Sequence, residues 1–120
     1  MMSDCTDRPQ PVIRGIKHEG RAIVLELGGE IDMKCSIKVK DKFKEIYQHK
    51  PSLIVVDMTE VEFMDSSGLA TLVGVLKWCR INNCELRLAG LTKAVRNIFD
   101  ICRLESIFQI YNSRAEALSQ

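Results

Sequence analysis

Leu53-Ile54-Val55-Val56-Asp57, an unbroken apolar run, and Phe63-Met64-Asp65-Ser66-Ser67-Gly68-Leu69, which opens a helical pattern, decide the fold. A run without polar alternation suits a central strand covered on both faces, as in a parallel sheet. The connection 58–65 carries Val61, Phe63 and Met64, so it is expected to be a tucked-in loop. It delivers a carboxylate, two hydroxyls and a glycine to the start of a helix over 67–82. Backbone N–H groups there lack intrahelical partners and favour negative charge. Such a site serves either to cap a helix or to carry a phosphate.

In that helix Leu69, Leu72, Val73, Leu76 and Cys79 form the expected core stripe, with Val75 and Trp78 at its margin. Upstream, 12–17 and 21–27 are strands about the turn His18-Glu19-Gly20 and predict an antiparallel hairpin. Gly28-Gly29 is expected to break the second strand. Asp32 is placed to cap a helix over 33–49, whose stripe is Cys35, Val39, Phe43, Ile46 and Tyr47. Lys34, Lys38, Lys40, Lys42 and Lys44 lie largely off that stripe, as on a solvated face. Downstream, 85–89 is a strand, Thr92 caps a helix to about Cys102, 107–111 is a strand, and Ser113-Arg114-Ala115-Glu116 opens a terminal helix. The class is therefore α/β: one domain over 12–120 behind a flexible tail over 1–11. Its mixed sheet of about five strands comprises a hairpin and then βαβ units, with helices packed against it.

The chain has 120 residues and a net charge of +1, which fits one compact domain and gives no sign of direct nucleic-acid binding. No apolar stretch approaches the roughly 20 residues that cross a bilayer. Met1-Met2-Ser3-Asp4-Cys5-Thr6-Asp7 lacks the pattern of a secretory signal, so a cytoplasmic location is expected. The five cysteines include no C-x-x-C pair and read as small hydrophobes in a reducing compartment, with Cys35, Cys79 and Cys102 on apolar helix faces. His18 and His49 lack neighbours at ligand spacing, so no metal is expected, and nothing calls for a cofactor. Asp32, Asp57 and Asp65 are candidates to share a rim as acid and base. No nucleophilic set, G-x-S-x-G, Walker motif or G-x-G-x-x-G accompanies them, so no enzyme is expected.

The run from Val55 through Asp65-Ser66-Ser67-Gly68-Leu69 resembles the signature of STAS domains, and more narrowly of bacterial anti-sigma factor antagonists. Leu27-Gly28-Gly29-Glu30-Ile31-Asp32 is similar to their early segment, and Leu88-Ala89-Gly90-Leu91 with Val95-Arg96 and Ile98-Phe99 to their late strand, turn and helix. The resemblance covers about residues 12–118. It implies that the unmodified protein binds an anti-sigma factor that is also a serine kinase, so freeing a sigma factor. Phosphorylation of Ser66 would end that binding, and a PP2C-type phosphatase would restore it. It places Asp32, Asp65, Ser66, Ser67 and Gly68 on the partner-binding face, with Ser67 supporting the helix start and Gly68 admitting the partner's backbone. The chain departs from the family's usual glycine at the end of the third helix, where it has Arg103-Leu104, and in its lysine-rich first helix. The alternatives are a STAS subunit of a lipid-transport ABC system, a regulator in another pathway, or a nucleotide-binding domain.

Overall fold

The computed structural model describes residues 11–119; the expected tail over 1–11 lies almost wholly outside them. The elements run β1 (Ile13–Glu19), β2 (Ala22–Ile31), α1 (Met33–Tyr47), β3 (Leu53–Met64), α2 (Ser66–Ile81), β4 (Glu85–Ala89), α3 (Lys93–Ile101), β5 (Gln109–Tyr111) and α4 (Arg114–Ser119). One sheet holds the strands in the order β1-β2-β3-β4-β5. The β1–β2 pair is antiparallel and the other three pairs are parallel. The α/β class and mixed five-stranded sheet are those expected from the sequence.

Alternation along the strands sorts side chains between the faces. Ile23, Leu25 and Leu27 of β2, Ile54, Val56 and Met58 of β3, and Leu86 and Leu88 of β4 share one cluster with the apolar residues of α1, α2 and α3. Val24, Val55 and Ala89 point the other way and meet Ala117 of α4. Ile54, Val55 and Val56 are all 0% exposed, which is why that run lacks polar alternation.

Strands β2 and β3 are both longer than expected. Gly28-Gly29 does not break β2, and 58–64 is strand instead of loop. Past Glu26 and Asp57 the parallel pairing continues as Gly28↔Glu60, Gly29↔Val61, Glu30↔Phe63 and Ile31↔Met64, with irregularities on either side of the glycines. Gly29 has φ +74°, a conformation glycine supplies freely, so the pair bulges without ending the ladder. Val61 and Met64 are buried, but Phe63 is 47% exposed and not tucked in.

In α2, Val75 is buried and Val73 only half-buried, the reverse of the expected stripe. The helix packs on α1 as well as on the sheet, which turns its buried arc toward Val75. Trp78 is half-buried and stacks on Tyr47, ring centroids 4.0 Å apart and planes 9° off parallel. Cys79 and Cys84 are buried free thiols. Cys102 follows the end of α3 and is exposed, contrary to expectation, and Cys35 is disulfide-bonded, which a reading of reduced thiols did not foresee. The rings of His18 and His49, distant in sequence, meet edge-on at 5.1 Å. Among the described residues no three His, Cys, Asp or Glu side chains group as metal ligands.

The end of α3 resolves what Arg103-Leu104 does in place of a glycine. Arg103 takes φ +58°, the left-handed cap conformation, while Arg103 N–H donates to Asp100 O (3.1 Å) and Leu104 N–H to Phe99 O (2.9 Å). The cap forms at the steric expense of a side chain in the left-handed region. Arg103→Gly should therefore raise unfolding stability by about 1 kcal/mol, read as a higher urea midpoint at unchanged slope.

Candidate functional site

The parallel neighbours β2 and β3 end side by side, and each hands the chain to a helix through an aspartate. Ile31↔Met64 is the last pair of the ladder, and Asp65 N–H donates to Ile31 O at 3.2 Å. Asp32 follows Ile31 and caps α1: its Oδ1 accepts from the N–H groups of Lys34 (3.0 Å) and Cys35 (3.2 Å). Asp65 follows Met64 and caps α2: its Oδ1 accepts from the N–H groups of Ser67 (2.9 Å) and Gly68 (3.3 Å) and from the Ser67 hydroxyl (2.6 Å). Both have the extended backbone of a cap residue, and both helix N-termini, with their partial positive charge, open on one rim.

The cap of α2 is therefore the aspartate and not either serine, which separates the two hydroxyls. Ser67 is half-buried and its hydroxyl is committed to Asp65. Ser66, the first residue of the helix, is exposed, and its hydroxyl has no hydrogen-bond partner among the described residues. Gly68 is buried beneath the turn. A Cβ there would stand 2.8 Å from Met64 Cγ and 3.1 Å from Ile31 O, the second a backbone atom with nowhere to go. Its small size lets α2 descend onto its own strand ends; the structure does not open it to a partner's backbone.

Asp57 does not share this rim. Because β3 runs on to Met64, Asp65 lies eight positions beyond it, roughly 25 Å along a strand. Asp57 instead accepts from Thr59 N–H and Oγ1, and faces Arg114 at 3.4 Å. Arg114 also bonds Glu26, and this hydrogen bond is the main reason its guanidinium titrates above its ordinary range. Arg87 reaches Ala117 O at 2.7 Å, so two arginines fasten α4 to the sheet. Glu60 pairs with Arg14 at 2.7 Å. The three aspartates thus divide between a capping rim and an ion-pair network, leaving no juxtaposed acid and base.

Two rim residues were not among the expected site residues. Met33, next to Asp32, is 71% exposed, and Phe63, beside Met64, is 47% exposed. Glu30 and Glu62 are exposed next to them. Strict alternation would set Phe63 on the face of buried Val61; the register shift between Gly29 and Glu30 turns it outward, and no periodic signal in the sequence marks it. Apolar side chains flanking an unpartnered hydroxyl at a helix start make a surface fit for protein docking.

Residues 14–117 match the model of the STAS domain. The chain is 40% identical over 91 residues to an anti-sigma-B factor antagonist of Listeria monocytogenes, covering 75% of this chain and 79% of that protein. Its fold is similar to the anti-sigma factor antagonist SpoIIAA in its unphosphorylated form (TM-score 0.76, 22% identity, 88% of this chain and 92% of that one). It is likewise similar to the Bacillus cell fate determinant SpoIIAA in its phosphorylated form (TM-score 0.70, 21% identity, 88% and 96%).

The capping geometry separates two substitutions. Asp65→Ala should lower stability by about 1 kcal/mol, through loss of the cap at α2. Ser66→Ala should stay within about 0.5 kcal/mol of the parent. Paired urea titrations check both.

Proposed function

This chain belongs to the STAS domain family, and from that premise we propose that it is an anti-sigma factor antagonist switched by phosphorylation of Ser66. In its unmodified form it docks an anti-sigma factor on the rim formed by Asp32, Asp65 and the start of α2, and a sigma factor is released. The partner carries serine-kinase activity and phosphorylates Ser66; a PP2C-type phosphatase reverses the step. Chemistry is done on this protein and not by it.

The observation that carries this reading is the contrast between the two hydroxyls. Ser66 is exposed and unpartnered, whereas Ser67 is held by Asp65. A kinase can approach the Ser66 oxygen without breaking any bond of the fold. A phosphate there adds about −1.5 to −2 charges at the first turn of a helix, where the dipole tolerates it. Asp65 adds no new cost to the fold, because its Oδ1 already faces three donors. The surface changes far more. Glu30 and Glu62 already make this rim acidic, and a partner seated on Met33 and Phe63 would meet a dianion in place of a neutral hydroxyl. Binding is lost by repulsion and desolvation without any refolding. Gly68 contributes from below, by holding α2 against Ile31 and Met64.

Incubation with ATP and the kinase-type anti-sigma factor, followed by peptide mass spectrometry, should find phosphate on Ser66 in the parent and in Ser67→Ala, and none in Ser66→Ala. Ser66→Asp should weaken anti-sigma factor binding by calorimetry at least about tenfold, or 1.4 kcal/mol. Phosphate on Ser67, or undiminished binding by Ser66→Asp, would overturn the proposal.

A further inference from the structure

Between α1 and α2 lies a trough of about 530 Å³, away from the capping rim except where Ser67 touches its upper end. We propose that this trough is a binding site for a long-chain carboxylate, a free fatty acid, with its alkyl chain between the helices and its head group at Lys40 and Lys44.

The volume lies within the range of about 300–1,000 Å³ typical of small-ligand pockets, and the lining is mostly apolar with few polar groups, as such pockets are. Phe43 and Val75 form its buried floor. The Tyr47–Trp78 stack stands at the lower end. Ile37, 64% exposed, extends the apolar wall at the top.

Gly74 is the residue the fold does not explain. It sits inside α2, where glycine disfavours helix about fivefold relative to alanine. Neither left-handed backbone nor close packing requires it, since a Cβ at this position would find nothing within 4 Å. The empty space above it is the trough itself.

Charge selects the head group. Lys40 and Lys44 both line the trough, both are exposed, and neither has an ionic partner among the described residues. No Asp or Glu lines it. The Tyr47 hydroxyl is pushed up to about 12, chiefly by burial, so it stays neutral beside an anion. Lysines on the margin of an apolar trough are the arrangement in which alkyl stems cover apolar surface and ammonium heads meet a carboxylate. This gives two of the five lysines on α1 a role that a solvated face does not. Occupancy of the trough lies beside Ser67 but does not depend on any kinase, so the site stands apart from the Ser66 switch.

Trp78 is the chain's single tryptophan and reports directly on the trough. The full chain should be titrated with palmitate, octanoate and acetate below their aggregation concentrations, reading Trp78 emission and calorimetric heat. Palmitate should bind, octanoate should bind more weakly by up to about fourfold per methylene no longer buried, and acetate should not bind. Gly74→Leu, which fills the trough from a position with room for the side chain, should weaken palmitate at least tenfold. So should Lys40→Glu with Lys44→Glu, whereas Lys38→Glu should change nothing. Circular dichroism of each variant confirms folding. Equal affinity for palmitate and octanoate, or palmitate binding unaltered in Gly74→Leu, would overturn the proposal. So would a Trp78 response to acidic amphipathic peptides or anionic vesicles but not to palmitate.

Discussion

The parallel pairing of β2 with β3 is the constraint on which the molecule depends. The two strands pair from Ala22↔Leu53 to Ile31↔Met64, and two register shifts absorb the extra length of β3 so that both end together. Because they finish together, their helices start together, and two capping aspartates occupy equivalent places one strand apart. Everything above the sheet inherits this alignment: the shared rim, the packing of α1 on α2, and the trough between them. Gly68 makes the last step possible, since any larger residue would lift α2 from Ile31 and Met64.

Within this frame the Ser66-Ser67 pair is asymmetric for a geometric reason. An N-cap carboxylate bonds the backbone of the second and third helical residues, and a hydroxyl on the second lies within its reach. Ser67 is that residue and its hydroxyl is bonded; Ser66 is the first, exposed, and makes no bond to the cap. Two adjacent serines thus differ in availability by one helical position. The acidic surroundings serve two separate ends. Asp65 and Asp32 stabilise helix starts, while Asp57 and Glu26 anchor Arg114 and with it α4.

Most of the fold was legible from the apolar patterns: the hairpin and the helical stripes each mark one covered face, and the continuous 53–57 run marks a strand covered on both. The extension of β2 was hidden by Gly28-Gly29, which looks like a strand breaker until the bulged ladder is seen, and that of β3 by reading 58–65 as a loop. That hid the exposure of Phe63 and the distance from Asp57 to Asp65. At the site, Asp65, Ser66 and Ser67 could be read as a group, but which side chain capped the helix depended on one residue of register. The edge-on meeting of His18 with His49 and the trough between α1 and α2 came only with tertiary structure, since neither leaves a periodic trace.

The hydrogen bond from Asp65 N–H to Ile31 O leaves the turn before Ser66 without slack. Its backbone is spoken for on one side by the neighbouring strand and on the other by the helix. A phosphate placed there, as the proposed switch requires, would consequently act by electric field and not by displacement. Loop motions and hinge closures take nanoseconds to milliseconds and add their own relaxation to a response. A fixed turn adds none: under the proposed switch, the output would follow the chemical state of Ser66 as soon as that state changed, and the tempo would belong to the kinase and phosphatase.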